Sequence, residues 1–142
     1  MEKEFIPYEQ ALVLKELGFD ESTYTWRQHG NGISGDVEGK RDYYNRKGDV
    51  YTALPLYQQA FRWFREKYGL QHEITRQGTN YWLLTILEID KVTINGIFNG
   101  KKYDIDDYIK NEPKSYEESE LECLKKLIEI VKNDVELQTK NN

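Results

Sequence analysis

The residues best suited to recognition lie in one short segment, where cations stand beside tyrosines. Within seven positions the segment contains Arg41, Tyr43, Tyr44, Arg46 and Lys47. Cations neutralise phosphates and aromatic rings stack on bases, which is the combination that single-stranded nucleic acid requires. Arginine and tyrosine are equally the residues that anchor protein interfaces. The segment therefore predicts a partner-binding surface and leaves protein and nucleic acid both open as partners.

Two arginines and a group of aspartates extend this candidate surface. Arg62 and Arg65 lie on the polar face of a predicted helix, where a partner can reach them. The aspartates are Asp104, Asp106 and Asp107. They begin a segment, 103–122, that holds eight acidic residues against two lysines. Such a segment presents carboxylates to a basic partner as phosphates would, although it is also typical of a solvated face. It lacks the glycine and distal glutamate of a calcium loop, so we predict no metal site.

The residue types that catalysis needs are present, but they form no recognisable pattern. The spacing G-x-G-x-x-G begins at Gly30, yet the DVEG sequence after it is a poor start for the helix of a dinucleotide site. His29 and His72 are the only histidines, and Cys123, the only cysteine, falls in a predicted helix near its buried side. No nucleophile motif, Walker loop or zinc spacing occurs. We therefore predict no catalytic residue and no cofactor, and we expect that the chain is not an enzyme.

Hydrophobic periodicity predicts three helices to position these side chains. The first covers 8–17, and Gly18 follows where a helix-ending glycine belongs. The second covers 54–68, and its buried stripe is predicted to be Tyr57, Phe61, Phe64 and Tyr68. Its open face is predicted to carry Gln58, Gln59, Arg62, Arg65 and Glu66. The third begins after Ser115, which forms a capping box with Glu118.

Alternating and β-branched runs predict the strands. They are expected at 23–26, 70–75, 81–89, 92–98 and 101–105. The expected fold is α+β, with three helices packed on a three- to four-stranded antiparallel sheet. We expect a single domain over 1–137, with a flexible glycine-rich loop at about 28–48 and a disordered tail at 138–142.

Composition narrows the class of protein. The chain has 142 residues, a net charge of −5 and one cysteine, which excludes a disulfide-stapled fold and fits a reducing compartment. The charged N-terminus lacks the apolar run of a signal peptide, and no stretch reaches the ~18 apolar residues of a membrane span. We therefore expect a cytoplasmic protein without a membrane partner. The negative charge argues weakly against a surface devoted to phosphate neutralisation.

Three blocks resemble a family of small proteins from phages and prophages of Bacteroidota-type hosts. The blocks are KEFIPYEQA at 3–11 with LGFDE at 17–21, LYQQAFRWFREKYGL at 56–70, and YEE at 116–118 with CLKKLIEIV at 123–131. They cover about a third of the chain and fall on the three predicted helices. The family has no assigned activity, so the resemblance implies a genetic setting and no catalytic residue.

That setting suggests a function by analogy with other small acidic phage proteins, many of which bind and disable a host machine. The leading hypothesis is a phage-encoded binding protein that inhibits a host defence system, such as a CRISPR-type effector ribonucleoprotein, in the cytoplasm of the infected host. The alternatives are a nucleic-acid-binding accessory protein and a sponge for a nucleotide signal. The sequence leaves the partner and the oligomeric state open.

Overall fold

Three helices and six strands make up the described part of the chain. The computed structural model describes residues 4–30, 34–36, 43–77, 81–88, 102–104 and 115–140. Its elements in chain order are α1 (Tyr8–Glu16), β1 (Thr25–Gln28), β2 (Ser34–Asp36), β3 (Tyr51–Leu54), α2 (Tyr57–Tyr68), β4 (Leu70–Gln77), β5 (Tyr81–Glu88), β6 (Lys102–Asp104) and α3 (Tyr116–Lys140). The α+β class is therefore confirmed, while the strand expected at 92–98 lies outside the described residues.

The strands fall into two antiparallel sheets. One has the order β2-β1-β3 and the other the order β4-β5-β6. The chain likewise divides into two compact units, the first ending at Ala60 and the second beginning at Phe61, so the division falls within α2. The single sheet of three to four strands is not confirmed, because β1 pairs with β2 and β3 in the first unit. The single domain over 1–137 stays a prediction.

In the first unit, α1 packs against β3. Trp26 of β1 stands opposite Ala53 of β3, and Arg27 stands opposite Thr52. The core of this unit includes Ile6, Ala11, Leu14 and Phe19. Helix α1 ends at Glu16, one residue before the predicted end, and Gly18 adopts a φ of +96°, a left-handed conformation that glycine reaches without a side-chain clash.

Helix α2 begins at Tyr57, three residues later than predicted, because Tyr51–Leu54 extends to pair with β1. Proline restricts the residue before it to extended conformations, so Pro55 separates the strand from the helix. Three of the four predicted stripe residues are confirmed as core, since Tyr57, Phe61 and Phe64 are 6%, 2% and 0% exposed, while Tyr68 is half-buried. Gln59 was predicted on the open face and is instead buried, for a reason given below.

In the second unit, α3 packs on strands β4 and β5. Its buried residues recur at helical spacing and include Leu124, Leu127 and Val131. The predicted cap forms in part, since the N–H of Glu118 donates to Ser115 Oγ over 3.1 Å. The helix continues to Lys140, so the residues at 138–140 that we expected in a disordered tail are helical.

Candidate partner-binding site

The segment that carries the predicted recognition residues is tied to the first unit at its start. Residues 43–51, here called the anchored loop, lead into β3. The backbone of Tyr43 pairs with that of Thr23: Thr23 N donates to Tyr43 O over 2.6 Å, and Tyr43 N donates to Thr23 O over 3.2 Å. The buried hydroxyl of Thr23 donates to the same carbonyl over 3.1 Å. These bonds hold Tyr43 within the segment 28–48, whose flexibility stays a prediction.

Hydrogen bonds of a tyrosine and an aspartate stabilise the conformation of the anchored loop. The Tyr43 hydroxyl donates to Asp49 Oδ2 over 2.9 Å and lies 3.0 Å from the carbonyl of Tyr51. Asp49 Oδ1 accepts from the N–H of Tyr51 over 3.1 Å. Burial, together with the carboxylate of Asp49, raises the pKa of Tyr43 above its ordinary value. Burial opposes the charge of Asp49, but hydrogen bonds from Tyr51 N–H and the Tyr43 hydroxyl lower the pKa of that carboxyl. Asp49 is thus an ionised acceptor at neutral pH.

Asn45 and Lys15 fasten the loop to its surroundings. The amide of Asn45 donates to the carbonyl of Phe19 over 3.0 Å and accepts from the N–H of Ala53 over 2.8 Å. The ammonium of Lys15, near the end of α1, donates to two loop carbonyls over 2.7 and 2.8 Å. Each bond satisfies a backbone group that a loop leaves unpaired. The loop conformation is therefore fixed by side chains from both ends of the segment and from α1.

The loop displays its remaining side chains to solvent. Asp49 N donates to Arg46 O, which closes a tight turn, and Gly48 takes the positive φ of +80° that such a turn requires. Tyr44 is 46% exposed and Val50 is 52% exposed. Arg46 and Lys47 are exposed as well. One exposed ring, one exposed aliphatic side chain and two cations therefore share a loop whose backbone is already fixed.

The structure separates the predicted contact residues into groups. Tyr44, Arg46 and Lys47 are brought together on the anchored loop. Tyr43 is only 9% exposed with its hydroxyl engaged, so we reassign it from partner contact to holding the loop. Arg62 and Arg65 belong to α2 in the second unit, and Asp104 ends β6. The remaining predicted residues, Arg41, Asp106 and Asp107, lie outside the described residues.

The polar face of α2 differs from the prediction at one residue. Gln59 is 3% exposed because its amide reaches back within the first unit and donates to the carbonyl of Ser22 over 2.7 Å. Hydrophobic periodicity cannot reveal such a residue, because the bond that compensates its burial comes from a distant part of the chain. Arg62 lies 4.0 Å from Glu66, and both are exposed, which makes this a weak surface pair.

Three titratable groups of the second unit have pKa values shifted mainly by burial. Burial raises the pKa of Cys123 to about 12, so the thiol stays protonated at neutral pH. Burial, and then the charge of Arg65, lowers the pKa of His72 to about 4 while its ring stacks on Phe61 at 3.7 Å. Burial, and then Glu117, raises the pKa of Glu120 to about 7. The predicted burial of Cys123 is confirmed by its 0% exposure.

One cluster was missed by the sequence analysis. The rings of Trp82 and Tyr116 meet edge to face with centroids 5.7 Å apart, and the guanidinium of Arg76 lies 5.4 Å from the Trp82 ring. Trp82 and Tyr116 are separated by 34 positions, so no local pattern links them. A correct prediction of the β4–β5 register would have placed Arg76 opposite Trp82, but it would not have indicated the contact with Tyr116.

Comparison of the chain with protein-family models, curated proteins and solved structures gave no match. Within the described residues, none of the helices is both long enough and apolar enough to cross a membrane. Across the same residues, no group of three or more histidine, cysteine or acidic side chains is placed to hold a metal ion.

Proposed function

We propose that this chain is a phage-encoded, non-enzymatic binding protein that inhibits a host defence system, such as a CRISPR-type effector ribonucleoprotein. The observation that carries the proposal is the anchored loop, which holds Tyr44, Arg46, Lys47 and Val50 on a fixed backbone. The protein would act in the cytoplasm of the infected host, on a protein or ribonucleoprotein partner. The phage setting comes from the resemblance of the helix blocks, while the contact surface comes from the geometry of the loop.

The anchoring is what makes this loop suited to binding. A mobile loop loses conformational freedom when it binds, at a cost of about 0.5–1.5 kcal/mol for each immobilised side chain and more for its backbone. In the anchored loop, the bonds made by Tyr43, Asn45 and Lys15 already restrict the backbone. Tyrosine and arginine are also the residue types most often found to dominate binding energy. A partner surface with carboxylates or phosphates beside an apolar patch would match this loop.

Affinity purification from the infected host tests the proposal. The tagged chain should recover one host protein or ribonucleoprotein in stoichiometric amount. Replacing Tyr44→Ser, Arg46→Gln and Lys47→Gln together should lower recovery about tenfold or more, since hot-spot losses exceed 1.4 kcal/mol. The matched control combines Lys132→Gln and Glu136→Gln, two exposed residues of α3. Recovery of no stoichiometric partner, or equal recovery by the loop variant and the control, would refute the assignment.

A second candidate function is nucleic-acid binding, and the same loop gives the observation that favours it. Arg46 and Lys47 supply two cations beside the exposed ring of Tyr44, which suits a phosphate backbone with one stacked base. Affinity for single-stranded RNA or DNA should then fall with salt at a slope of about 0.7 per phosphate contact. The Arg46→Gln and Lys47→Gln variant should flatten that slope. Absence of binding at low salt would exclude this candidate and leave the protein-binding proposal standing.

A further inference from the structure

A second exposed aromatic feature lies in the second unit, at the ends of β4 and β5 and the start of α3. Trp82, near the start of β5, is half-buried, and Tyr116, the first residue of α3, is 40% exposed. Their ring planes meet at 71° with centroids 5.7 Å apart. We call Trp82 and Tyr116 the aromatic corner. Two rings at nearly a right angle offer one face and one edge to whatever approaches from solvent.

A cation of the protein already lies against this corner. The guanidinium of Arg76 is 5.4 Å from the centroid of the Trp82 ring, within the ~6 Å range of cation–π attraction. Arg76 is exposed, and it stands directly opposite Trp82 in the β4–β5 register. The contact shows that a guanidinium fits the Trp82 face sterically. It also occupies part of the position that an external cation would take.

A buried carboxyl lies one helical turn from the corner. Glu120 is 7% exposed, and within the described part of the chain its carboxylate has neither a hydrogen bond nor an ion pair. It follows Tyr116 by four positions, so the two side chains share one face of α3. Burial, and then the charge of Glu120, raises the pKa of the Tyr116 hydroxyl. Partial removal from water makes the ionised form of this carboxyl costly, and a bound cation would favour the ionised form.

The charges around the corner favour a cation as its ligand. Glu117 and Glu118 follow Tyr116 directly and are exposed. The start of a helix attracts anions, but here Ser115 already accepts from the Glu118 N–H, and the two glutamates supply the negative charge that the helix dipole favours. An incoming anion would meet these carboxylates, whereas a cation would meet two rings and an acidic rim.

From this arrangement we propose that the aromatic corner and Glu120 bind the guanidinium or ammonium group of an arginine or lysine side chain from a basic protein segment. The cation stacks on Trp82 in place of Arg76, contacts Tyr116, and pairs with the carboxylate of Glu120. This site lies in the second unit and does not include the anchored loop. The proposed cation site can therefore be tested independently of the proposed function.

Titration of the full chain with a blocked tri-arginine peptide tests the site. The probe is the indole N–H resonance of Trp82, assigned by its loss in Trp82→Phe. We expect a saturable shift with tri-arginine, a weaker one with tri-lysine and none with tri-glutamate. The Glu120→Gln variant should weaken tri-arginine binding about three- to tenfold, as loss of a charge-assisted contact does. Glu136→Gln, an exposed change on the same helix, should leave it unaltered.

A second variant keeps the site falsifiable if Glu120→Gln alters the fold. Removing the internal competitor in Arg76→Ala should strengthen tri-arginine binding about two- to fivefold, an effect of cation–π size. Weaker binding in Arg76→Ala, together with a shift caused by tri-glutamate, would overturn the proposal and mark the corner as an anion site. Saturation by spermidine but not by the peptide would also overturn it, because the ligand would then be a free polyamine.

Discussion

The two units differ in the contacts made by several of their buried polar side chains. In the first unit the buried hydroxyls of Thr23 and Tyr43 donate to backbone carbonyls or to Asp49. In the second unit Glu120 and Cys123 are buried and His72 is half-buried, and the described part of the chain shows no hydrogen bond from any of these three side chains. Directional bonds fix a backbone, so the first unit can hold the anchored loop. Packing excludes water but imposes no bond direction, and burial is the main cause of the shifted pKa values of these three groups.

Truncation of the aromatic core in the second unit should have the largest effect. Phe64 is 0% exposed and lies 5.1 Å from the Trp63 ring and 5.9 Å from the Tyr68 ring. Phe64→Ala should lower the free energy of unfolding by about 3–5 kcal/mol, because it leaves a cavity. Urea denaturation measures this loss. A cost below 1 kcal/mol would show that packing is not what holds this unit together.

Glu120 should make the stability of the second unit depend on pH. Its pKa is raised to about 7 from 4.5, by burial and then by Glu117, so the folded state binds the proton more tightly than the unfolded state. This stability is fully present below pH 4.5 and is lost as pH rises through 7. Glu120→Gln should therefore stabilise the protein by about 1–2 kcal/mol at pH 8 and by little at pH 4. The value at pH 8 is lower than the full pKa shift implies, because solvent near the exposed Tyr116 screens the charge of Glu120. Denaturation curves at the two pH values decide this, and equal gains at both would contradict it.

His72 contributes a pH dependence of the opposite sign. Its pKa is lowered to about 4, by burial and then by Arg65, so its stability contribution is present above pH 6.5 and is lost as pH falls through 4. Between pH 4.5 and 6.5 the slopes from His72 and Glu120 oppose each other. The Glu120→Gln variant should therefore expose a rise in stability over that range that the unchanged chain conceals. Tyr116 and Cys123, the other titratable neighbours of Glu120, both have pKa values raised by burial and stay protonated there.

Much of the fold follows from local sequence, because helix ends and periodicity are local properties. Gly18 and Gly69 both adopt the positive φ that their positions after helices predict. The choice of strand partners is not local, and the sequence therefore misplaced Leu54 in a helix and combined two sheets into one. Tyr44 and the loop cations were recognised by type and spacing. The burial of Tyr43, and the meeting of Trp82 with a ring 34 positions away, depend on contacts that no local pattern encodes.

Removing a partnered hydroxyl in the first unit should cost stability. Tyr43→Phe keeps the ring but leaves Asp49 Oδ2 without its donor. We expect a loss of about 1 kcal/mol, the usual net contribution of one hydrogen bond to stability. Partner recovery should also fall, because the loop would no longer be fixed. The thermal midpoint and the recovery are measured on the same protein, and unchanged recovery with a lowered midpoint would separate loop anchoring from binding.

Removing an unpartnered hydroxyl in the same unit should have the opposite effect. Thr52 is 1% exposed, and among the described residues its Oγ1 has no hydrogen-bond partner, as is also true of Nε of Arg27 on the facing strand. Thr52→Val keeps the β-branched shape and removes the buried polar atom, so it should stabilise the protein by about 1 kcal/mol. Chemical denaturation beside Tyr43→Phe provides the contrast. A loss of stability in Thr52→Val would mean that this hydroxyl is satisfied in solution.

The smallest expected change in stability comes from alanine substitution of two glycines that have similar backbone conformations but lie in different segments. Gly48 in the anchored loop and Gly30 after β1 have φ of +80° and +93°, and an added Cβ at either would meet no atom within 4 Å. Substitution by alanine should therefore cost each about 1 kcal/mol, from backbone strain alone. If the loop is the partner surface, Gly48→Ala should weaken partner recovery as well, since it shifts the turn that positions Arg46 and Lys47. Gly30→Ala should lower the thermal midpoint as much as Gly48→Ala does, but it should leave partner recovery unchanged. Equal recovery by both variants would argue that binding does not depend on the anchored loop.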